Sequence, residues 1–196
     1  PVANAFYAMM DQYLTRLDAM GVTIALTADH GMKAKHAPTG EPNVIYLEPL
    51  LGEAGLTDFR VILPITDPYV VHHGALGGFA TVYLDNHPDH ACARAAFDGV
   101  PGIEIVLTRN EACNVFGLPA DRIGDLVVIS TRDYVLGSAP EKHDLSGLKD
   151  PLRSHGGLSE QRVPFIVNRC LEACATGRRN FDIFSHTLNH TLEGSS

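Results

Sequence analysis

The chain has 196 residues, 45% of them hydrophobic, and 15 basic against 23 acidic side chains give a formal net charge of −8. That length suits one domain with a satellite, and the apolar content is enough for a buried core. An acidic balance with no basic stretch and 7% aromatics excludes an electrostatic nucleic-acid footprint, and no apolar run reaches the ~18–20 residues of a membrane span.

Residues 3–20 carry Phe6, Met9, Met10, Tyr13, Leu14, Leu17 and Met20 at helical spacing, and Gly21 follows as a stop. The apolar run Val22–Thr27 predicts a strand buried on both faces, as parallel-sheet strands are. A turn is predicted at "PTGEP", residues 38–42. Beyond it, "VIYLEPLLGEAG" reads as strand plus helix, "FRVILPI" and "GFATVYLD" as strands, "HACARAAFDG" as a helix, and "GIEIVLT" and "RIGDLVVIST" as strands. Val163–Val167 predicts a further strand, and "NFDIFSHTLNH" a final helix capped by Asn180.

Alternation of helix and strand is α/β layout. The change of texture near residue 40 divides the chain into a main α/β domain, residues 1–39 and 146–196, and an inserted satellite subdomain, residues 40–145. The N-terminus lacks the layout of a signal peptide. The four cysteines, Cys92, Cys113, Cys170 and Cys174, form no CxxC pair, so reduced, mostly buried thiols and a cytoplasmic location are expected. The start at Pro1 without methionine and the close on "LEGSS" read as part of a longer protein.

The chemistry gathers in two loops. In "LTADHGMKAKH" an apolar strand runs directly into Asp29 and His30, and Gly31 lets the backbone turn sharply. Ligands of open α/β sheets sit beyond the carboxyl ends of strands, where a carboxylate and an imidazole can reach one zinc ion. An N-capping Asp beside a surface His is the other reading of the same triplet. His155, in "SHGG", occupies a second glycine-rich loop ahead of a second strand, so it can face the first loop if the two strands share a sheet. Lys33 and Lys35 could attract an anionic substrate, although loop lysines are commonly just solvated. His72 and His73 read as polar loop residues, and His36, His87, His90, His143, His186 and His190 have no partner at ligand spacing. No GxSxG elbow, P-loop or GxGxxG occurs. Thr27, the hydroxyl nearest the acid–His pair, is expected to point into the sheet.

Taken in order, "TADHGM", "VIYLEPLLGEAG", "RIGDLVVIS" and "SHGGLSEQRVPF" resemble the C-terminal half of the alkaline phosphatase superfamily. The nucleotide pyrophosphatase/phosphodiesterase branch is near, and the phosphonoacetate hydrolase family nearer. The resemblance implies a partial alkaline-phosphatase-like sandwich with a small inserted cap. It also implies two zinc ions per complete active site, spaced like other two-metal centres at roughly 4 Å. Asp29 and His30 correspond to an adjacent ligand pair on one ion, and His155 to a late histidine on the other.

The implied reaction is hydrolysis of the C–P bond of phosphonoacetate, a small anionic phosphonate, to acetate and phosphate by a zinc-activated threonine. A cation must hold the substrate carboxylate, for which Lys33 and Lys35 are weak candidates. Neither the nucleophilic threonine nor the family's Asp-x-x-x-His ligands have a counterpart here, so no catalytic residue is assigned and the chain alone is expected to be inactive. A phosphodiesterase or nucleotide pyrophosphatase, and a non-catalytic domain binding metal or a partner, are the alternatives. Neither membrane nor nucleic-acid partners are expected, and a homodimer is compatible with the sequence.

Overall fold

The computed structural model describes residues 2–64, 75–85, 90–170 and 179–189. In chain order the first elements are α1 (Val2–Ala19), β1 (Ala25–Thr27), β2 (Lys33–Ala34), β3 (Val44–Tyr46), α2 (Leu47–Glu53) and β4 (Phe59–Ile62). There follow β5 (Phe79–Leu84), α3 (His90–Ala95), β6 (Ile103–Thr108), α4 (Arg109–Phe116), β7 (Leu126–Ser130) and β8 (Val135–Gly137). The last are β9 (Arg153–Ser154), β10 (Phe165–Val167) and α5 (Asp182–Asn189). The described elements are mixed α/β, as the alternation of helix and strand in the sequence predicts.

Two compact units result, Pro1–Asp29 with Arg162–Ser196, and His30–Gln161. The sequence texture had put the joints near residues 40 and 145; pairing of β2 with β9 keeps residues 33–34 and 153–154 together in the second unit.

In the first unit, α1 ends where the sequence placed its stop. Gly21, at φ 77°, donates to the Asp18 carbonyl (2.9 Å) and Val22 N–H to that of Leu17 (3.3 Å), which satisfies two of the helix's terminal carbonyls. β1 pairs antiparallel with β10, Thr27 opposite Phe165. Here the structure departs from the expected strand buried on both faces. β1 has three residues, two of them exposed, because β10 is its one strand partner among the described residues. An apolar run records what a strand can bury and not what covers it. Thr27 turns its hydroxyl to the Pro164 carbonyl (2.8 Å).

The second unit is built on a four-stranded antiparallel sheet in the order β4-β5-β7-β6. Alternation along β5 and β7 divides their side chains between two faces. Ala80, Val82, Leu126 and Val128 pack with Leu47 and Leu51 of α2 and with Ala93 and Phe97 at α3. On the other face Val127 and Ile129 pack with Ala112 of α4 and Ile123. β7 is therefore buried along its whole length, and Leu126→Ala there would cost about 2–5 kcal/mol. β3 and β8 form a parallel pair, and the turn before β3 closes through the His36–Pro42 bridge with Gly40 at φ 93°.

The thiols differ from expectation. Cys92 and Cys170 are exposed and Cys113 is half-buried, all three free, while Cys174 lies outside the described residues. Among the described residues no helix is long and apolar enough to cross a membrane.

Candidate metal centre

Two loops of the second unit meet around a pair of imidazoles. The His30 and His155 rings are stacked, with centroids 3.6 Å apart and planes 12° from parallel. Residues 125 positions apart in the chain are brought into van der Waals contact.

The first loop is fixed by its backbone. Gly31 N–H donates to the Glu160 carbonyl (2.7 Å), and a Cβ on Gly31 would stand 3.3 Å from that same oxygen. His30 Nδ1 lies 2.9 Å from the Gly31 carbonyl. A carbonyl only accepts, so Nδ1 carries the proton of this contact, and in the neutral ring that leaves Nε2 as the lone-pair nitrogen a metal ligand needs. β2 follows at once and pairs with β9, Lys33 opposite Ser154, which places the His155 loop beside the His30 loop.

The second loop hangs on the approach to β5. Gly78 N–H donates to the His155 carbonyl (2.7 Å), the Gly78 carbonyl accepts from Ser130 N–H at the end of β7 (2.9 Å), and Ser154 Oγ donates to the Leu76 carbonyl. Gly156, at φ 102°, makes the turn that leaves His155 on the side of His30. The two glycine pairs lie backbone to backbone, since a Cβ on Gly78 would fall 2.5 Å from Gly157 N.

Beneath both loops lies an ion pair. Lys35 is 0% and Glu160 1% exposed; Lys35 Nζ donates to Glu160 Oε1 (3.2 Å) and to the Arg132 carbonyl (2.7 Å). The other carboxylate oxygen of Glu160 accepts from Gly157 N–H (2.9 Å), and Ser159 Oγ donates to Oε1. Lys35, considered above for substrate binding, is thus enclosed in protein. Lys33 is half-buried in β2.

Of the residues singled out by sequence, His30 and His155 come together. Asp29 is the chain neighbour of His30 and belongs to the first unit. His72 and His73 lie outside the described residues, as do His87 and His190. His143 is buried, with Ser138 N–H donating to its Nε2 (3.0 Å), and His186 stands edge-on to Phe165. Among the described residues no group of three or more His, Cys, Asp or Glu is placed to hold a metal. The donor types and the His30 tautomer nevertheless fit zinc as part of a shell. Sequence reasoning passed over Glu160 and the Gly77-Gly78 pair. The second carried a visible signal, two adjacent glycines directly before a β-pattern, which suits close backbone approach. Glu160 carried none, because a charged residue in a polar loop reads as solvated until its burial is known.

No family model matches the chain. It is similar to a phosphonoacetate hydrolase from Penicillium oxalicum, with 63% identity over 41 residues, 19% of this chain and 57% of the relative. The crystal structures of phosphonoacetate hydrolase from Sinorhizobium meliloti 1021 in complex with phosphonoformate and with phosphonoacetate match at 54% identity and a TM-score of 0.89. They cover 95% of this chain and 46% of theirs. Human ectonucleotide pyrophosphatase/phosphodiesterase 5 matches at 15% identity with a TM-score of 0.61, over 100% of this chain and 50% of that one, a likeness of fold. The chain spans about half the length of the relatives it matches.

Proposed function

We propose, from the likeness of this chain to the phosphonoacetate hydrolases, that it carries part of a zinc-dependent site that hydrolyses the C–P bond of phosphonoacetate to acetate and phosphate. Asp29 and His30 would hold one zinc ion and His155 a second. The observation that supports this best is the stacked His30–His155 pair. A ring nitrogen donates within its ring plane, and lone pairs in parallel planes do not converge on one ion. Stacked imidazoles at this separation suit two neighbouring ions, as in two-metal hydrolases whose ions lie roughly 3.5–4 Å apart.

Bound zinc would supply Lewis acidity toward a phosphonate oxygen and make an oxygen nucleophile available at neutral pH. The chain's own part is to fix ligand direction. The Nδ1–H of His30 on the Gly31 carbonyl holds the ring in one tautomer, and the Gly78 contact to the His155 carbonyl holds the other loop. The reading gives the chain no nucleophile of its own, since nothing in it matches the family's threonine.

Zinc uptake by the purified chain, measured by competition with a chromogenic chelator, tests the assignment. His30→Ala and His155→Ala are each expected to weaken zinc binding at least about tenfold, the lower end of what even outer-shell changes cost. Phosphonoacetate with added zinc is expected to give no acetate from this chain. Uptake indifferent to both substitutions, or steady acetate release, would sink the reading.

A further inference from the structure

We infer that Lys35 and Glu160 are positioning residues, a buried pair that holds the His30 loop and the His155 loop in register and so sets the stacked arrangement of the two imidazoles. The inference rests on the zinc reading only where it concerns metal affinity; the loop arrangement itself is independent of metal.

The argument begins with the cost of the pair. Two charges withdrawn from water are expensive, and replacing a buried ion pair by well-packed apolar side chains is often neutral or stabilising. Lys35 and Glu160 are both wholly buried in a unit with ample apolar core, so the fold has no evident need of them. What the pair does provide is connection. Glu160 uses three acceptor atoms, its main-chain carbonyl and both carboxylate oxygens, to join two stretches of chain, residues 31–35 and its own turn at Gly157. Its carbonyl takes the Gly31 amide beside His30, Oε2 takes the Gly157 amide two residues after His155, and Oε1 takes the Lys35 ammonium.

Lys35 extends the connection. Its Nζ reaches the Arg132 carbonyl in the turn after β7, its N–H donates to the Leu152 carbonyl (2.9 Å), and its own carbonyl accepts from Asn43 N–H (3.0 Å). The segment leaving His30 and the segment entering His155 are therefore tied to one buried ion pair. Neither side chain touches an imidazole. The Glu160 carboxylate acts through the Gly157 amide, two residues after His155, and Lys35 through Glu160 and the Arg132 carbonyl, so a displacement of either loop would have to break a charge-assisted hydrogen bond between buried groups.

The test uses the full chain and three variants. Lys35→Met/Glu160→Met replaces the pair by apolar side chains of similar length and leaves no lone buried charge. Glu160→Met removes the carboxylate alone, and Glu160→Gln keeps an acceptor for the Gly157 amide. Thermal melts, amide hydrogen exchange at Gly31 and Gly157, the NMR contact between the His30 and His155 rings, and zinc affinity are read on each.

The double variant is expected to melt close to the parent chain, while its Gly157 amide exchanges at least about tenfold faster, the ring contact weakens, and zinc affinity falls at least about tenfold. Glu160→Gln is expected to retain more of the ring contact than Glu160→Met. A double variant with parental exchange and ring contact overturns the inference. So does one that fails to fold, because the pair would then carry the fold and not the loops. If the parent chain takes up no zinc, the metal reading falls, and the exchange and ring-contact measurements still decide this one.

Discussion

Two glycines show how much of the site depends on single atoms. Gly78 lies against the backbone of Gly157, where a Cβ would be 2.5 Å from an amide nitrogen, and Gly52 lies in α2 with nothing within 4 Å of the same atom. Gly78→Ala must push two backbones apart, for which overpacking of about 1–3 kcal/mol is the expected scale. Gly52→Ala loses no space and gains helix propensity, so it should stabilise by about 0.4–1 kcal/mol. Paired melts with opposite signs check both, and equal melts would show that the glycine contact is not tight in solution. The glycine doublet before a β-pattern hints at close backbone approach at Gly78, but the backbone it meets, at Gly157, lies 79 positions away and is not readable from the sequence. Asp29, His30 and His155 stood out in the sequence as candidates by residue type and by their place at strand ends, and the structure brings His30 and His155 of the three together.

At the scale of elements, the helix α4 was missed although its opening is written in the sequence. Thr108 and Glu111 have the T-x-x-E spacing of a capping box, and the structure forms it: Glu111 N–H donates to Thr108 Oγ1 (3.4 Å) while Thr108 N–H donates to the Glu111 carboxylate (2.7 Å). The Thr108 amide, then its hydroxyl, hold the Glu111 carboxyl below the usual carboxylate range. A carboxyl whose pKa is lowered on folding favours the folded state fully above its unfolded value. That contribution is lost as pH falls from the usual range toward the lower folded value. Glu111→Gln should therefore lower the melt near pH 7, where the carboxylate's contribution is full, and flatten the fall of stability below about pH 5, so that the two chains converge in acid. An unchanged slope in acid would mean the box is not populated in solution. The longer strands β5, β6 and β7 were legible from their pattern, whereas β2, β8 and β9 have two or three residues each and no periodicity to read. Those short strands are the ones that align the two histidine loops.

On the scale of the whole molecule, the apolar surface left uncovered in the first unit is the feature with the largest consequence. α1 has no buried residue, and Phe6, Tyr13 and Leu17 stand on it in water, with Met20 just beyond its end at 75% exposure. Leu26 and Ile166 are exposed on β1 and β10, and Phe184 and Leu188 on α5. A shallow hollow of about 240 Å³, lined by Leu14, Ile24, Leu26 and Ile166, lies where α1 meets this strand pair. Monomeric proteins seldom leave contiguous apolar patches of more than a few hundred Å² in contact with water. Among the described residues the β1–β10 pair also has no further strand on either edge, where another chain could extend it. The amphipathic pattern of α1 was plain in the sequence, but the pattern does not say that no described residue would bury its apolar stripe. In isolation this chain should therefore associate with itself or bind a hydrophobic dye such as anilinonaphthalene sulfonate. Leu17→Glu together with Met10→Glu should reduce both without lowering the melt of the second unit, whose core is separate from α1. Sedimentation velocity across a hundredfold concentration range, with dye binding on the same samples, measures this. A chain that stays monomeric and dye-silent throughout would show that the stripe on α1 is covered in solution by something within the chain itself, and the arrangement of α1 against β1 and β10 would have to be redrawn.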